Sequence, residues 1–407
     1  MKEEYLERRC QSFIKTLCED IPERCIGSKG NKEATDFFRN EMSILGWETD
    51  SAELDVIEWK ESSALLVASD KSFNVFVSPY SKGCDVTSEL TSASSVDELE
   101  ALHAAGKIIL LHGDIAKEQL MPKNFVFYNP EEHKKIIGLL EKSGASAIVC
   151  ATGRNAATAG GVYPFPLIED GDFDIPSVYM TEEEGKKLLC FTGKSVYLRS
   201  LSQRIPSKSY NVSCRKGSGP QKIVVTAHID SKKGTPGAID NATGVAVLLL
   251  TAELLQNYLG ELQIEIVAFN GEDYYSVPGQ MKYIEQSSDK FDKILLNINI
   301  DGAGYRIGPS AFSFFDLPEN IRSISQTVLN ESSGITEGVQ WPQGDHSIFV
   351  QYGIHAIAVS SKWLIDNMEQ QDITHTPKDN PEIVDVSKLV RISRAIESLI
   401  RKITCVE

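Results

Sequence analysis

The sequence predicts an α/β domain, a sheet covered by helices, into which a β-rich segment is inserted. Two observations carry that expectation. From position 210 onward apolar strand-like runs alternate with helical patterns, as in 222–227 (strand), 244–258 (helix), 263–269 (strand) and 294–300 (strand). Between 60 and 204 the texture is different, with short apolar runs such as 64–68, 75–77 and 107–111 set off by Ser, Gly and Pro. The α/β domain is therefore assigned to 1–59 and 205–407, and the insert to 60–204.

The stretch 3–20 spaces Tyr5, Cys10, Phe13, Ile14 and Leu17 at helical intervals, and the turn-forming Gly27-Ser28-Lys29-Gly30-Asn31 follows it. A second helix is expected over 32–45, with Ala34, Phe37, Phe38, Met42 and Leu45 on one face and Gly46 at its C-terminal cap. In the insert, a helix over 130–143 (Ile136, Ile137, Leu139, Leu140) precedes the strand-like Ala147-Ile148-Val149-Cys150. After a Gly- and Ala-rich loop at 153–161 come a short strand at 174–179 and a helix start at Glu182. Internal repeats are absent.

At 407 residues the chain exceeds one average domain, and 42% hydrophobic with 24% charged residues is the composition of an ordinary globular protein, so no fibrous or disordered reading is needed. A net charge of −16, from 57 acids and 41 bases spread along the chain, repels a phosphate backbone and argues against nucleic acid as a partner. No run reaches the ~18 apolar residues of a membrane span. The charged start MKEEYLERRCQSFIKTL lacks the ~7–15 apolar residues of a secretory signal. The eight cysteines (Cys10, Cys18, Cys25, Cys84, Cys150, Cys190, Cys214, Cys405) show no CxxC or Cys/His spacing and read as reduced packing residues. Together these point to the cytoplasm; a secreted chain whose leader had been removed would read the same.

Five segments carry chemistry. One strand runs into His228 and Asp230; Gly237-Ala238-Ile239-Asp240-Asn241 sets a carboxylate before a helix; a second strand ends in Asn270-Gly271-Glu272-Asp273; a third ends in Asp301; and Thr374-His375-Thr376-Pro377-Lys378-Asp379 adds a second histidine. Ligands of α/β proteins gather at the carboxyl ends of strands. Taken singly, an Asp before a glycine or a helix is usually a turn or cap residue. Taken together, two histidines and three carboxylates are the mixture of nitrogen and oxygen donors that zinc accepts, with one bridging oxygen in a two-ion site.

These segments resemble, in order and spacing, the metal-binding motifs of peptidase family M28, the co-catalytic zinc aminopeptidases. Gly27 to Asn31 resembles that family's amino-terminal turn, and Gly344-Asp345-His346-Ser347 with Gly353-Ile354-His355-Ala356 resembles a downstream substrate-side stretch. The insert is similar to a protease-associated (PA) domain through Gly106-Lys107-Ile108-Ile109-Leu110, Gly144-Ala145-Ser146-Ala147-Ile148 and Ile175-Pro176-Ser177-Val178. The resemblance implies a mixed sheet with helices on both faces. It also implies a metal-dependent exopeptidase, an aminopeptidase on peptide substrates with two Zn2+ per chain or another divalent metal in their place.

Carried onto this sequence, the resemblance implies that His228 and Asp301 hold one metal, Asp273 and His375 the other, and that Asp240 bridges them through a cis Asp240–Asn241 peptide. Asp230 would accept the other N–H of the His228 ring. Glu272 would be the general base for a hydroxide bridging the two zinc ions. The four positive charges of two such ions would then meet four negative ones, from Asp240, Asp273, Asp301 and Glu272. Two residues depart from the pattern: Asp273 replaces the usual Glu and is one methylene shorter, and Thr374 stands where several members carry an oxyanion-stabilising Tyr.

Trp341-Pro342-Gln343 reads either as a pocket wall or as a packed loop. His346 and His355 read as non-ligands because two histidines complete the set, and His103, His112 and His133 read as surface residues of the insert. Asn211-Val212-Ser213 matches a glycosylation sequon. Two other functions share the fold: a receptor-like binding module that has lost the ligands, and a single-zinc glutaminyl cyclase lacking the counterpart of His228. The presence of all five ligands and Glu272 favours the peptidase.

Overall fold

A computed structural model describes residues 1–155, 159, 161–288 and 290–404; Cys405 and part of the 153–161 loop lie outside them. The chain divides into two compact units, Met1–Val56 with Lys208–Glu407, and Ile57–Ser207. Strand β1 (Glu48–Ala68) leads into the second unit, which holds β2 (Lys71–Phe73), β3 (Phe76–Val77), β4 (Cys84–Ala93), β5 (Ile108–Leu111), β6 (Ala147–Thr152) and β7 (Ser177–Thr181). Strand β8 (Ser195–Lys216) leads back to β9 (Lys222–His228), β10 (Gln263–Phe269), β11 (Ile294–Ile300), β12 (Ser310–Phe315), β13 (Ile335–Glu337) and β14 (Ala356–Ser361).

In the first unit the strand order is β13-β12-β14-β11-β9-β10-β8. The central four, β14, β11, β9 and β10, are parallel, whereas β12 and β8 run antiparallel to their neighbours β14 and β10. The sheet is therefore mixed. Strands buried on both faces read as continuous apolar runs, which is why β9, β10 and β11 are visible in the sequence. On one face Ile223, Val225, Ala227, Ile264, Ile266 and Ala268 pack against helices Glu3–Lys15, Lys29–Ile44, Thr243–Leu254 and Val386–Thr404. Helix Thr243–Leu254 contacts both Glu3–Lys15 and Val386–Thr404 as well as the sheet, and is accordingly apolar all round. On the other face Phe269 meets Tyr283 of helix Pro278–Ser287 edge-on, ring centroids 5.4 Å apart, and Tyr283 in turn meets Phe349 of helix His346–Gln351.

The second helix starts at Lys29, earlier than its apolar spacing suggests, because Ser28 caps it by accepting the N–H of Asn31 at 3.1 Å. Tyr5 turns out of the core; it is 39% exposed and donates its hydroxyl to Glu253.

In the Ile57–Ser207 unit β4, β5, β6 and β7 run parallel and β3 closes antiparallel to β7, with an apolar cluster on each side. Helix Val96–Ala101 was not anticipated, although its capping signature stands in the sequence: Ser95 accepts the N–H of Glu98, whose carboxylate accepts the N–H and hydroxyl of Ser94. His133 corrects the expectation of a surface residue. It shares the buried face of helix Glu131–Lys142 with Ile136 and Ile137, accepts the N–H of Met121 at 3.1 Å on Nδ1 and places Nε2 3.3 Å from Glu118. His103 is exposed and His112 half-buried. Cys10, Cys18, Cys25, Cys84, Cys150, Cys190 and Cys214 are free thiols. Among the described residues no helix is long and apolar enough to cross a membrane.

Candidate metal centre

The parallel strands deliver the site at their carboxyl ends. His228 is the last residue of β9, Asp301 directly follows β11, and Glu272 and Asp273 follow β10 after a two-residue turn. Asp240 arrives from the turn before helix Thr243–Leu254, and its peptide bond to Asn241 is cis. His375 lies on a loop with φ +60, a left-handed conformation that histidine adopts far more readily than a β-branched residue.

Two donor groups result, His228 with Asp240 and Asp301, and Asp240 with Asp273 and His375; within each group the ligand atoms lie within 4.8 Å of one another. Asp240 belongs to both. Its Oδ1 is 3.1 Å from Nε2 of His228 and its Oδ2 is 3.2 Å from Nε2 of His375, while Asp273 Oδ1 lies 3.2 Å from the same His375 nitrogen and Asp301 Oδ1 3.7 Å from Nε2 of His228. Despite these approaches, both ring nitrogens of the buried His228 and Oδ2 of Asp273 make no hydrogen bond. Buried polar atoms are almost always paired, so an unbonded Nε2 of His228 set beside carboxylate oxygens of Asp240 and Asp301 fits a cation held among them, while Nδ1, on the opposite edge of the ring, faces Asp230. The imidazole and carboxylate donors are those zinc takes.

Electrostatics point the same way. Burial disfavours a charged imidazole, yet Asp230, Asp240 and Asp301 outweigh it and raise His228 well above its ordinary range. His375 is lifted to about 10, with burial again overcome by Asp273 and Asp240. Burial pushes the Asp240 carboxyl up, and the two imidazoles reverse this and hold it far below the usual range. Glu272, partly exposed, is raised well above the ordinary carboxylate range by burial and then by Asp273, Asp301 and Asp345, against the opposing pull of His228.

Asp230 does something other than bond the His228 ring. Its Oδ1 is 3.7 Å from Nδ1 of His228, too far for a hydrogen bond. Its two oxygens instead accept the N–H groups of Glu272 (3.3 Å) and Asp273 (3.1 Å), fixing the backbone that carries both. A second buried carboxylate, Asp379, belongs to the His375 segment. It accepts the N–H of Ile239 at 2.6 Å and of Asp240 at 3.0 Å, and its carbonyl takes the N–H of Ala238. The sequence signal was its place four residues after a candidate ligand.

Around the centre, Gly344 has φ +97, and a side chain there would come within 3.2 Å of both Asp301 Oδ2 and the Trp341 ring. Trp341 is nearly buried and packs against His346, whose Nε2 lies 2.9 Å from the Trp341 carbonyl. Neither His346 nor His355 joins a donor group. The Thr374 hydroxyl accepts a hydrogen bond from Gln371 at 2.6 Å. Asn211 is buried, donates to the Gly279 carbonyl and accepts the N–H of Asn270, so the folded chain does not present its sequon.

Several known proteins are similar to this chain. Aminopeptidase YwaD of Bacillus subtilis is 23% identical over 262 residues, covering 61% of this chain and 55% of that protein. The probable lipoprotein aminopeptidase LpqL of Mycobacterium tuberculosis is 23% identical over 290 residues, covering 68% and 54%. The chain thus spans about half the length of these curated relatives. Among solved structures, an aminopeptidase from Aneurinibacillus sp. strain AM-1 superposes with a TM-score of 0.75 at 19% identity, covering 98% of this chain and 93% of that one. A zinc aminopeptidase from Bacillus subtilis superposes at 0.74 and 20%, covering 98% and 94%. The fold is that of these two aminopeptidase structures. Residues 211–400 match the model of Peptidase family M28, and that span contains His228, Asp240, Glu272, Asp273, Asp301 and His375.

Proposed function

We propose that this chain is a zinc metallopeptidase of the aminopeptidase type, releasing single residues from the amino end of peptides. The observation that carries the reading is the sharing of Asp240 by two imidazole–carboxylate donor groups, with Nε2 of His228 buried among them and otherwise unbonded. His228 and Asp301 would hold one ion, Asp273 and His375 the other, and Asp240 both. When bound, such ions supply Lewis acidity and make a water acidic enough to attack near neutral pH.

The remaining chemistry belongs to side chains. Glu272 takes a proton from the attacking water and returns it to the leaving amine. Asp230 and Asp379 hold the backbone of the two acidic segments, so that Glu272, Asp273 and Asp240 keep their places as substrate enters. The Ile57–Ser207 unit is read as a PA-like domain. In support, the segments that resemble one form the adjacent parallel strands β5 and β6 and the neighbouring β7.

The test is a rate survey over aminoacyl amides, free peptides and N-blocked peptides, with and without chelator. Turnover of unblocked substrates that chelator abolishes is expected. Equal cleavage of blocked peptides refutes the aminopeptidase assignment, and chelator-insensitive turnover refutes the metal.

A further inference from the structure

We infer that Arg24 is a positioning residue for the metal centre, its guanidinium fixing the segment that joins His228 to Asp240. The inference rests on the two-metal reading above. Arg24 is fully buried and directs its donors at the main chain. Nε donates to the carbonyl of Ile229 at 3.0 Å, Nη1 to those of Pro236 (2.7 Å) and Leu17, and Nη2 to that of Gly237 at 2.8 Å.

Those acceptors are informative. Ile229 directly follows one proposed ligand, and Gly237 stands three residues before the shared one. A single planar fork therefore ties both ends of the connecting loop, which the point charge of a lysine cannot do. Burying a guanidinium is unfavourable unless its N–H groups are satisfied, so the contact persists only while the loop keeps this shape. Gly237 shows how closely the loop wraps: at φ +58, a Cβ there would lie 2.9 Å from Arg24 Nη2 and 2.6 Å from the Asp240 carbonyl oxygen. Asp379 holds the N–H groups of the next three residues, so the stretch leading to Asp240 is fixed through its carbonyls by Arg24 and through its amides by Asp379.

The same turn reaches the other acidic segment. Asn31 donates from Nδ2 to the Arg24 carbonyl (3.1 Å) and to Oδ1 of Asn270 (2.8 Å), two residues before Glu272. The amino-terminal turn, about 200 to 250 positions from those residues in sequence, thus sets the spacing between the segment bearing His228 and Asp240 and the one bearing Glu272 and Asp273.

Arg24→Lys, Arg24→Gln and the unmodified chain are to be stripped with chelator and titrated with cobalt(II) chloride, with visible absorption reporting the metal environment and circular dichroism and thermal unfolding reporting the fold. Arg24→Lys is expected to fold but to bind cobalt about 10–100-fold more weakly, with an altered spectrum, as when groups that orient ligands are lost. A folded Arg24→Lys protein with unmodified affinity and spectrum overturns the inference. So does a lowered melting midpoint with unchanged cobalt binding, the signature of a purely structural arginine. If Arg24→Lys does not fold, Arg24→Gln decides: it buries no charge and keeps N–H donors on a shorter arm, and weaker cobalt binding by the folded protein supports the inference while unchanged binding overturns it. If the unmodified chain takes up no cobalt, the two-metal reading fails first and the role of Arg24 falls with it.

Discussion

Asp379 accepts the N–H of Asp240 at 3.0 Å on one carboxylate oxygen and that of Ile239 at 2.6 Å on the other. The loop that delivers His375 therefore also secures the backbone of the residue shared by both donor groups. Asp379→Ala leaves two buried N–H groups unpaired, at a cost of about 1–3 kcal/mol each, and is expected to weaken zinc binding about 10–100-fold. Asp379→Asn keeps one acceptor and should fall between. Calorimetric titration of the stripped proteins measures this; equal affinities across the three would rule out the coupling.

Glu272 and Asp273 are neighbours with different proposed work. Glu272→Gln preserves shape but removes the basic oxygen, so metal content should stay near normal while turnover falls by about 10²–10⁴-fold. Asp273→Asn removes a ligand and should lose metal along with rate, with partial recovery on added zinc. Bound zinc and saturated turnover are measured on both. Retention of more than about a tenth of the turnover by Glu272→Gln, well short of that range, excludes it as the base.

Removing metal should destabilise the unit that holds the donors more than the insert. Without cations Asp240, Asp273, Asp301 and Glu272 repel one another, and metal that binds only the folded state adds stability by mass action. Hydrogen exchange after chelation is expected to speed up at the amides of β9, β10 and β11 and to leave β5 and β6 nearly unchanged. Identical protection with and without proven metal loss would contradict this.

Asp345 gives a pH dependence with a definite sign. Its Oδ1 accepts from Gln280 at 2.6 Å, while its Oδ2 and Oε1 of Gln280 are buried acceptors without a donor. Burial, aided by Asp301 and Asp230 and opposed by His228 and Gln280, raises the carboxyl to about 7. Unfolded, it titrates near ~3.9, so between those values the folded state holds more protons and stability falls as pH rises through the window. Asp345→Asn cannot ionise, and its amide can donate to Gln280. Chelator-treated Asp345→Asn should therefore melt several degrees above the unmodified chain at pH 8 and lose that advantage by pH 4. A difference that does not change with pH would show that ionisation of Asp345 is not its source.

The legible part of this molecule is the part whose physics is local. Strands β9, β10 and β11 are buried on both faces, so their apolar runs stand out, and each run ends in or just before the acid or histidine it delivers. Strand β4 does not stand out because Asp85, Thr87, Ser88, Glu89, Thr91 and Ser92 fill most of its exposed and half-exposed positions, leaving only Leu90 and Ala93 buried. Helix Val96–Ala101 is too short to show a period, and only its Ser95/Glu98 cap betrays it. At the site, residue type and place single out the segments and the resemblance picks the donors among their acids; of the residues that hold those segments only Asp230 is named, and for a different contact. Arg24 works on partners about 205 to 213 positions away, and Asp379 on partners about 140 away. In sequence both look like ordinary turn residues, since nothing local distinguishes a buried guanidinium from a solvated one.

The interlocked amides beneath the acidic segment bear on how the protein ages. Asn270-Gly271 is the dipeptide most prone to spontaneous deamidation, in which the glycine nitrogen attacks the asparagine side chain to form a succinimide. Here that side chain is clamped: Asn270 Oδ1 accepts from Asn31, and its Nδ2 donates to Asn31, Thr35 and the Tyr210 carbonyl. The fold thus withholds the approach that the succinimide requires. Aspartate or isoaspartate at position 270 would therefore mark molecules that have opened at this place, and its rate of appearance on storage would time that opening, two residues from the proposed base.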